Sequence, residues 1–309
     1  MKLDLMVEPY VLVRGLIQKL NKSVSNFHGE IITTPDHGVW SVKKLIAVYM
    51  YIKPYIEIMR KNGYKKLHYV DLFAGSGLLK IDGKMIPGTA LIPFIRIEDG
   101  FIFDEYHLAD EKQKFVSKLN ERIKSIEKNK TNVSIEASTF DDSVTKLFSN
   151  RNGAYKDNGY LVVLDPFGLD ISWNQLVQIL SGRAVDIFIT FMTSQTQRQT
   201  NISHSESALT RIFGDESWKD NDDLLKHYRN KIETIPSESH YPYKTSVITV
   251  ETKGSSKYHL IFASKSKIGA QRPFKYIQEL VDAVDKNLLN DAFSGAMKPE
   301  SNIDYYFNK

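Results

Sequence analysis

The chain has 309 residues, of which 42% are hydrophobic and 25% are charged, as in ordinary globular proteins. It contains no cysteine, which excludes disulfides, cysteine-ligated zinc, iron–sulfur clusters and a thiol nucleophile. The net charge of +4 allows an anionic partner without requiring one. No apolar run approaches the roughly 20 residues that span a bilayer, and there is no signal-peptide pattern. We therefore expect a cytoplasmic protein that does not contact a membrane.

Hydrophobic periodicity predicts alternating helices and strands from residue 40 onwards, whereas residues 1–39 show no clean periodicity. Five strands are predicted, at Leu67–Phe73, Phe101–Ala109, Val133–Glu136, Gly159–Leu164 and Val185–Phe191. Helices are predicted at Trp40–Met59, Thr89–Ile97, Lys112–Asn129, Ser143–Phe148 and Trp173–Leu180. Pro54 should kink the first helix, and Asp82-Gly83 predicts a tight turn.

The alternation of strands and helices ends after the fifth predicted strand. Residues 193–240 are polar and helical in pattern, which indicates an insertion. Ser246–Thr252 and Tyr258–Ser264 then predict an antiparallel hairpin. The expected fold is α/β: a Rossmann-like, class I methyltransferase sheet of seven mostly parallel strands that ends in this hairpin, with helices on both faces.

The same pattern divides the chain into four parts. We predict an N-terminal helical segment, a core formed by two stretches, a helical insertion that faces the substrate, and a C-terminal helix and tail. In that order the parts are residues 1–66, 67–192 with 241–270, 193–240 and 271–309.

The stretch HYVDLFAGSG, residues 68–77, places Asp71 at the end of a buried strand and ahead of Gly75 and Gly77. Lys80 occupies the position where a dinucleotide-binding loop needs its third glycine, and no P-loop is present. A carboxylate here would repel phosphate but suit a cation. S-adenosylmethionine offers an ammonium for Asp71 and a carboxylate for the backbone N–H groups of the glycine turn. The alternative is that Asp71 only caps a tight turn.

The remaining cofactor-binding candidates lie in the same loop and after the second and third strands. An acid after the second strand can accept hydrogen bonds from ribose hydroxyls, and Asp110 is preferred over Glu111 because it comes first. Phe140 is expected against the adenine ring, with Thr139 or Asp141 at its amino group. Helix capping is the alternative for these acids. The other predicted cofactor-binding residues are Phe73 and Ala74.

GYLVVLDPFGLD, residues 159–170, contains the predicted catalytic residues Asp165, Pro166 and Phe167. Amino-group methyltransferases carry D/N-P-P-Y/F at such a strand end, where the acid and a carbonyl bind the target nitrogen and the aromatic ring stacks on the base. Here Phe167 stands where proline is usual and Gly168 where the aromatic residue is usual. The alternative is a β-to-loop turn with a buried phenylalanine.

Taken together, several stretches resemble the three-Cys-motif partner proteins, a methyltransferase-like family named for a genomic neighbour rather than for its own cysteines. They are WSVKKLIAVYMYIKPYIEIM, HYVDLFAGSG, VVLDPFGLD, FGDESW and YHLIFASK, in order from about Trp40 to about Lys267. The family more often has proline where this chain has Ser76. The resemblance implies a class I, S-adenosylmethionine-dependent methyltransferase fold and a protein partner encoded nearby, but no substrate.

Basic residues with interleaved aromatic residues in the insertion point to nucleic acid. The predicted contacts are Arg198, Arg211, Lys226 and Arg229. The expected reaction is direct in-line methyl transfer to a base nitrogen, with RNA (tRNA, guanine included) ahead of DNA. A solvated surface of mixed charge, a non-catalytic or regulatory partner protein, and a DNA, protein or small-molecule methyltransferase remain alternatives. The histidines lack H-x-x-H and H-E-x-x-H spacing, so no metal is expected.

Overall fold

The computed structural model describes residues 8–28, 36–126, 132–149, 157–166, 168–182, 184–192, 206–236, 241–251, 257–265 and 271–294. The strands are β1 (Asp36–His37), β2 (Lys66–Asp71), β3 (Leu78–Ile81), β4 (Lys84–Pro87), β5 (Glu105–Asp110), β6 (Asn132–Ala137), β7 (Asn158–Leu164), β8 (Val185–Met192), β9 (Lys244–Glu251) and β10 (Lys257–Ser264). The helices are α1 (Pro9–Ser23), α2 (Val39–Lys61), α3 (Ile92–Ile97), α4 (Gln113–Ile126), α5 (Phe140–Phe148), α6 (Trp173–Leu180), α7 (Glu206–Phe213), α8 (Leu224–Glu233), α9 (Gln271–Asp282) and α10 (Lys286–Phe293).

Among the described residues, seven strands form the main sheet, in the order β6-β5-β2-β7-β8-β10-β9. The first five strands of this order pair in parallel, and β10 is antiparallel to both β8 and β9. Within the main sheet, the first strand along the chain is the central strand β2. The chain then runs outwards through β5 to β6 and returns to β7, on the other side of β2. This arrangement confirms the predicted Rossmann-like class I methyltransferase fold. It also puts the topological switch point, where such sheets bind ligands, between β2 and β7.

The central strands are buried on both faces, as their continuous apolar sequences predict. In β7, Leu161 and Val163 belong to one core, while Val162 and Leu164 belong to the core on the opposite face. The first core is completed by α1, α2, α3, α4, α9 and α10. The second is completed by α5, α6, α7 and α8, so the described part of the insertion packs against the sheet.

Several predicted elements differ from the structure at their ends. The second predicted strand begins at Glu105 rather than at Phe101. Phe103 is buried without pairing, and Asp104 instead accepts a hydrogen bond from the backbone N–H of Leu67 at 2.6 Å. The helix predicted at Ser143–Phe148 begins earlier, at Phe140, because Thr139 caps it. Pro54 lies within α2 without ending it.

Residues 1–66 are predicted to form a helical segment, and the structure places helix α1 in the part of it that shows no clean periodicity, residues 1–39. Leu12, Leu16 and Leu20 are buried in α1, but the neighbouring Val11 and Val13 blur their periodicity. A second, three-stranded sheet joins β1, β3 and β4. The predicted tight turn is confirmed between β3 and β4. No described helix has the length and apolar character needed to cross a membrane.

Candidate functional site

The carboxyl edge of the sheet brings together the ends of β2, β5 and β7. Asp71 ends β2 and is completely buried. Its Oδ2 accepts a 2.7 Å hydrogen bond from the Thr89 hydroxyl, and its Oδ1 accepts one of 3.1 Å from the backbone N–H of Phe73. Burial raises the pKa of Asp71 to about 7, although these two hydrogen bonds oppose the rise. The carboxyl group therefore organises the loop from beneath.

The glycine turn after β2 is fixed by two long-range contacts. The backbone N–H of Gly75 donates to Asp110 Oδ2 at 3.0 Å, and the carbonyl of Ser76 accepts a hydrogen bond from Arg122. Gly75 and Gly77 have φ angles of +57° and +85°, which non-glycine residues rarely adopt. A Cβ at Gly77 would lie 2.8 Å from Leu119 Cδ1, whereas one at Gly75 would have no atom within 4 Å. The turn therefore leaves open space beside Gly75.

The two acids after β5 have different surroundings. Asp110 accepts hydrogen bonds from the backbone N–H groups of Gly75 and, at 2.9 Å, of Lys112. Asp110 thus connects the end of β5 to the glycine turn. Glu111 is exposed. A backbone hydrogen bond also connects the glycine turn to β5: the N–H of Ala74 donates to the carbonyl of Ala109 at 2.9 Å.

The start of α5 places an aromatic pair beside this edge. Phe140 is buried and stacks on Phe73, with ring centroids 5.5 Å apart and an interplanar angle of 19°. Thr139 caps the helix by accepting a hydrogen bond from the Asp142 N–H at 3.2 Å. Asp141 accepts a 2.8 Å hydrogen bond from Ser172 and pairs with Arg211 at 3.0 Å.

Asp165, at the end of β7, forms an ion pair that sequence analysis did not anticipate. Its Oδ2 pairs with Lys44 of α2, and its Oδ1 accepts a 2.7 Å hydrogen bond from Thr190 of β8. Lys44 is 4% exposed and lies 4.7 Å from the ring centroid of Trp40, which stacks on Tyr258 at 4.7 Å. The sequence feature that could have indicated this ion pair is a lysine, Lys44, on the apolar face of a predicted helix.

The other predicted site residues lie in different settings. Pro166 is buried, and Phe167 lies outside the described residues. A depression next to Asp165 is lined by Trp40, Lys43, Lys44, Thr190, Ile248, Tyr258, His259 and Leu260.

The predicted nucleic-acid contacts are similarly divided. Lys226 of α8 is exposed, and half-exposed Arg211 pairs with Asp141. The guanidinium of Arg229 donates to the hydroxyl and the carbonyl of Thr245, at 3.0 and 3.2 Å. This contact ties α8 to β9. Arg198 lies outside the described residues.

No protein-family model matches the chain, and no curated protein matches it. Among solved structures it is similar to the protein LPL1258 of Legionella pneumophila, with 10% identity and a TM-score of 0.46 over 78% of this chain and 92% of that one. It is also similar to the N-terminal domain of human METTL16 in complex with SAH, with 10% identity and a TM-score of 0.40 over 82% of each chain. At these values the similarity assigns neither an activity nor a ligand to this chain.

Proposed function

We propose that this protein is an S-adenosylmethionine-dependent methyltransferase that acts on a base nitrogen of nucleic acid. One observation carries the proposal. At the switch point of a class I methyltransferase sheet, a glycine turn is fixed by Asp110 and Arg122 and leaves open space beside Gly75. Ligands of open α/β sheets bind at this place.

The residues around the turn fit the proposed cofactor, which would supply an electrophilic methyl group. The backbone from Phe73 to Gly77 would border its amino-acid tail, with buried Asp71 beneath the turn. Exposed Glu111 would accept hydrogen bonds from the ribose hydroxyls, while Asp110 holds the turn. Phe140, Thr139 and Asp141 at the start of α5 would flank the adenine.

Asp165, Pro166 and Phe167 would orient the target base. Each carboxylate oxygen has two lone pairs, so Asp165 can accept a further hydrogen bond while Lys44 and Thr190 hold it in place. Asp165 would accept the proton of the attacking nitrogen if it carries one, or bind the amino edge of a guanine attacked at N7. Phe167 would stack on the base, beside Pro166. Most of the acceleration would come from orientation.

RNA, and tRNA in particular, is the preferred substrate class, ahead of DNA. Exposed Lys226 and half-exposed Arg211 support an anionic partner on the face of the insertion, to which Arg198 would add a charge. Arg229 would contribute mainly through its contact with Thr245, which positions α8. The same proposal includes membership of the three-Cys-motif partner proteins, which this chain resembles. It also includes a protein partner encoded nearby and a cytoplasmic location.

The Lys44–Asp165 ion pair favours a second candidate, a non-catalytic or regulatory partner with a methyltransferase-like fold. In that case the pair would only connect α2 to β7, and Asp165 would bind no base. Activity measurements separate the two candidates.

The cofactor proposal is tested by equilibrium dialysis with labelled S-adenosylmethionine. We expect Gly75→Ala to weaken binding by at least about tenfold, since the new methyl group enters the open space. Gly83→Ala is the matched control: Gly83 also has a positive φ (+76°) and open space around its Cβ, but lies in the β3–β4 turn. Equal binding by the two variants, or no binding by the wild type, would overturn this proposal.

The substrate proposal is tested by incubating the protein with labelled cofactor and bulk tRNA, rRNA, DNA or protein, followed by nucleoside analysis of the product. We expect label in tRNA and a loss of about a hundredfold in rate for Asp165→Asn. Asp170→Asn, at an exposed position nearby, should retain the wild-type rate. Label in no nucleic acid would contradict the proposal and leave the second candidate.

A further inference from the structure

Two neighbouring strands bring three metal-binding side chains together, away from the glycine turn. His68 of β2 pairs in register with Glu105 of β5, and His107 lies two residues further along β5 on the same face. His68 Nδ1 is 3.1 Å from His107 Nε2 and 3.3 Å from Glu105 Oε2, and the last two atoms are 3.4 Å apart. The three atoms form a nearly equilateral triangle.

The size of this triangle matches one face of a zinc coordination sphere. A tetrahedral zinc ion with bonds of about 2.0–2.1 Å holds its ligand atoms about 3.3 Å apart. Two imidazole nitrogens and one carboxylate oxygen are also a ligand set that zinc accepts, with water in the fourth position. We propose that His68, Glu105 and His107 bind a single divalent zinc ion.

The surroundings of the triangle suit such a site. Lys66 Nζ binds the other carboxylate oxygen of Glu105 at 2.9 Å, which leaves Oε2 directed at the histidines. His68 is 5% exposed and stacks on Tyr160, with ring centroids 4.4 Å apart, so its ring orientation is fixed by packing. Burial lowers the pKa of His68 and that of His107.

The triangle is partly open to solvent. The side chains of His107 and Glu105 are 18% and 23% exposed, and His107 lines a depression together with Ser134, Glu136 and Lys146. His68 is three residues before Asp71, about 10 Å along the strand. The ion would therefore connect β2 to β5 below the turn that Asp71 and Asp110 organise, and would not contact the proposed methyl-transfer site.

The test uses the metal alone and needs no methylation activity, so its outcome is independent of the proposed function. The full chain is freed of metal with a chelator and titrated with Zn²⁺ by calorimetry, and Co²⁺ serves as a spectroscopic probe of tetrahedral geometry. We expect one ion per chain, and a loss of at least about tenfold in affinity for His107→Ala. His227→Ala, a histidine of α8 bonded to Ser217, should bind as the wild type does.

Thermal unfolding provides a second readout. Zn²⁺ should raise the melting temperature of the wild type and of His227→Ala, because the ion binds the folded state, but not that of His107→Ala. Should His107→Ala fail to fold, Glu105→Gln replaces it, since its amide oxygen can keep the contact with Lys66. Absence of stoichiometric binding by the wild type, or wild-type affinity in the substituted triangle, would overturn the proposal.

Discussion

Asp71 shows how the same residue looks from the sequence and in the fold. Its position ahead of two glycines suggests a carboxylate that contacts a cationic ligand. In the structure it is completely buried, and Thr89 and the Phe73 N–H occupy one lone pair on each of its oxygens. A carboxyl group in this position controls the shape of the turn, and its charge is close to those of Asp165 and Lys44.

The raised pKa of Asp71 gives a pH-dependent prediction. Because its pKa is about 7 in the folded protein and near 4 in the unfolded chain, the folded state binds this proton more tightly. The associated stability is fully present below pH 4 and is lost as the pH rises to about 7. We expect Asp71 to lower the free energy of unfolding by about 2 kcal/mol between pH 5 and pH 8, and Asp71→Asn to remove that loss.

The measurement is urea unfolding of both proteins at the two pH values. Other groups titrate in this range, so the quantity that matters is the difference between wild type and variant. Asp170→Asn is the control, since it makes the same substitution at an exposed position. Identical pH dependence in wild type and Asp71→Asn would contradict the prediction.

At the scale of elements, α2 is the helix that completes the candidate site. It contributes Lys44, which reaches Asp165 at the end of β7, and Trp40, which stacks on Tyr258 of β10. The helix thus contacts both the parallel part of the sheet and the closing hairpin. The sequence predicts a helix over Trp40–Met59, but the partner of Lys44 is 121 residues away and follows only from how the helix packs.

A double-mutant cycle tests this contact. Lys44→Met leaves the Asp165 carboxylate without its cation, and because that side chain is only 21% exposed we expect a loss of about 1–3 kcal/mol in the free energy of unfolding. Adding Asp165→Asn removes the unpaired charge, so the double variant should lose less than the sum of the single variants. Urea unfolding of the four proteins measures the coupling, and strictly additive effects would argue against the pair.

At the scale of the whole molecule, the N-terminal and C-terminal helices pack together beside the main sheet. Helix α1 contacts α10, α9 and β4, and buries Leu16 at 1% exposure. An ion pair between Arg14 and Asp291, 2.7 Å apart, lies at the edge of this contact. The apolar interface, rather than the ion pair, should hold α1 and α10 together.

This distinction is measurable. We expect Leu16→Ala to lower the free energy of unfolding by about 2–5 kcal/mol, because it removes buried methyl groups from a packed core. Asp291→Ala should cost less than about 1 kcal/mol, since its side chain is 37% exposed and water replaces the partner. Urea unfolding of both variants tests the comparison, and a larger effect for Asp291→Ala would contradict it.

Local sequence patterns specify the strand–helix alternation, the closing hairpin and the Asp82-Gly83 turn. These features depend on local chemistry. The apolar side chains of LVVL in β7 are all buried only if a layer packs on each face of the sheet. Asp82 and Gly83 have φ angles of +46° and +76°, as a tight turn requires. The positions of Asp71, Asp110 and Asp165 at strand ends follow from the same pattern. Helix α1 could not be located from the sequence, because its consecutive apolar residues obscure the helical repeat.

Which distant side chains meet depends on how the strands and helices pack. Parallel pairing of β2 with β5 sets His68 against Glu105 and His107, a triangle that no spacing along the chain reveals because its members come from two strands. The crossing of α2 brings Lys44 to Asp165, and the packing of α4 brings Arg122 to the glycine turn. Strand register and helix packing depend on the whole core, so contacts between distant residues exist only once that core is assembled.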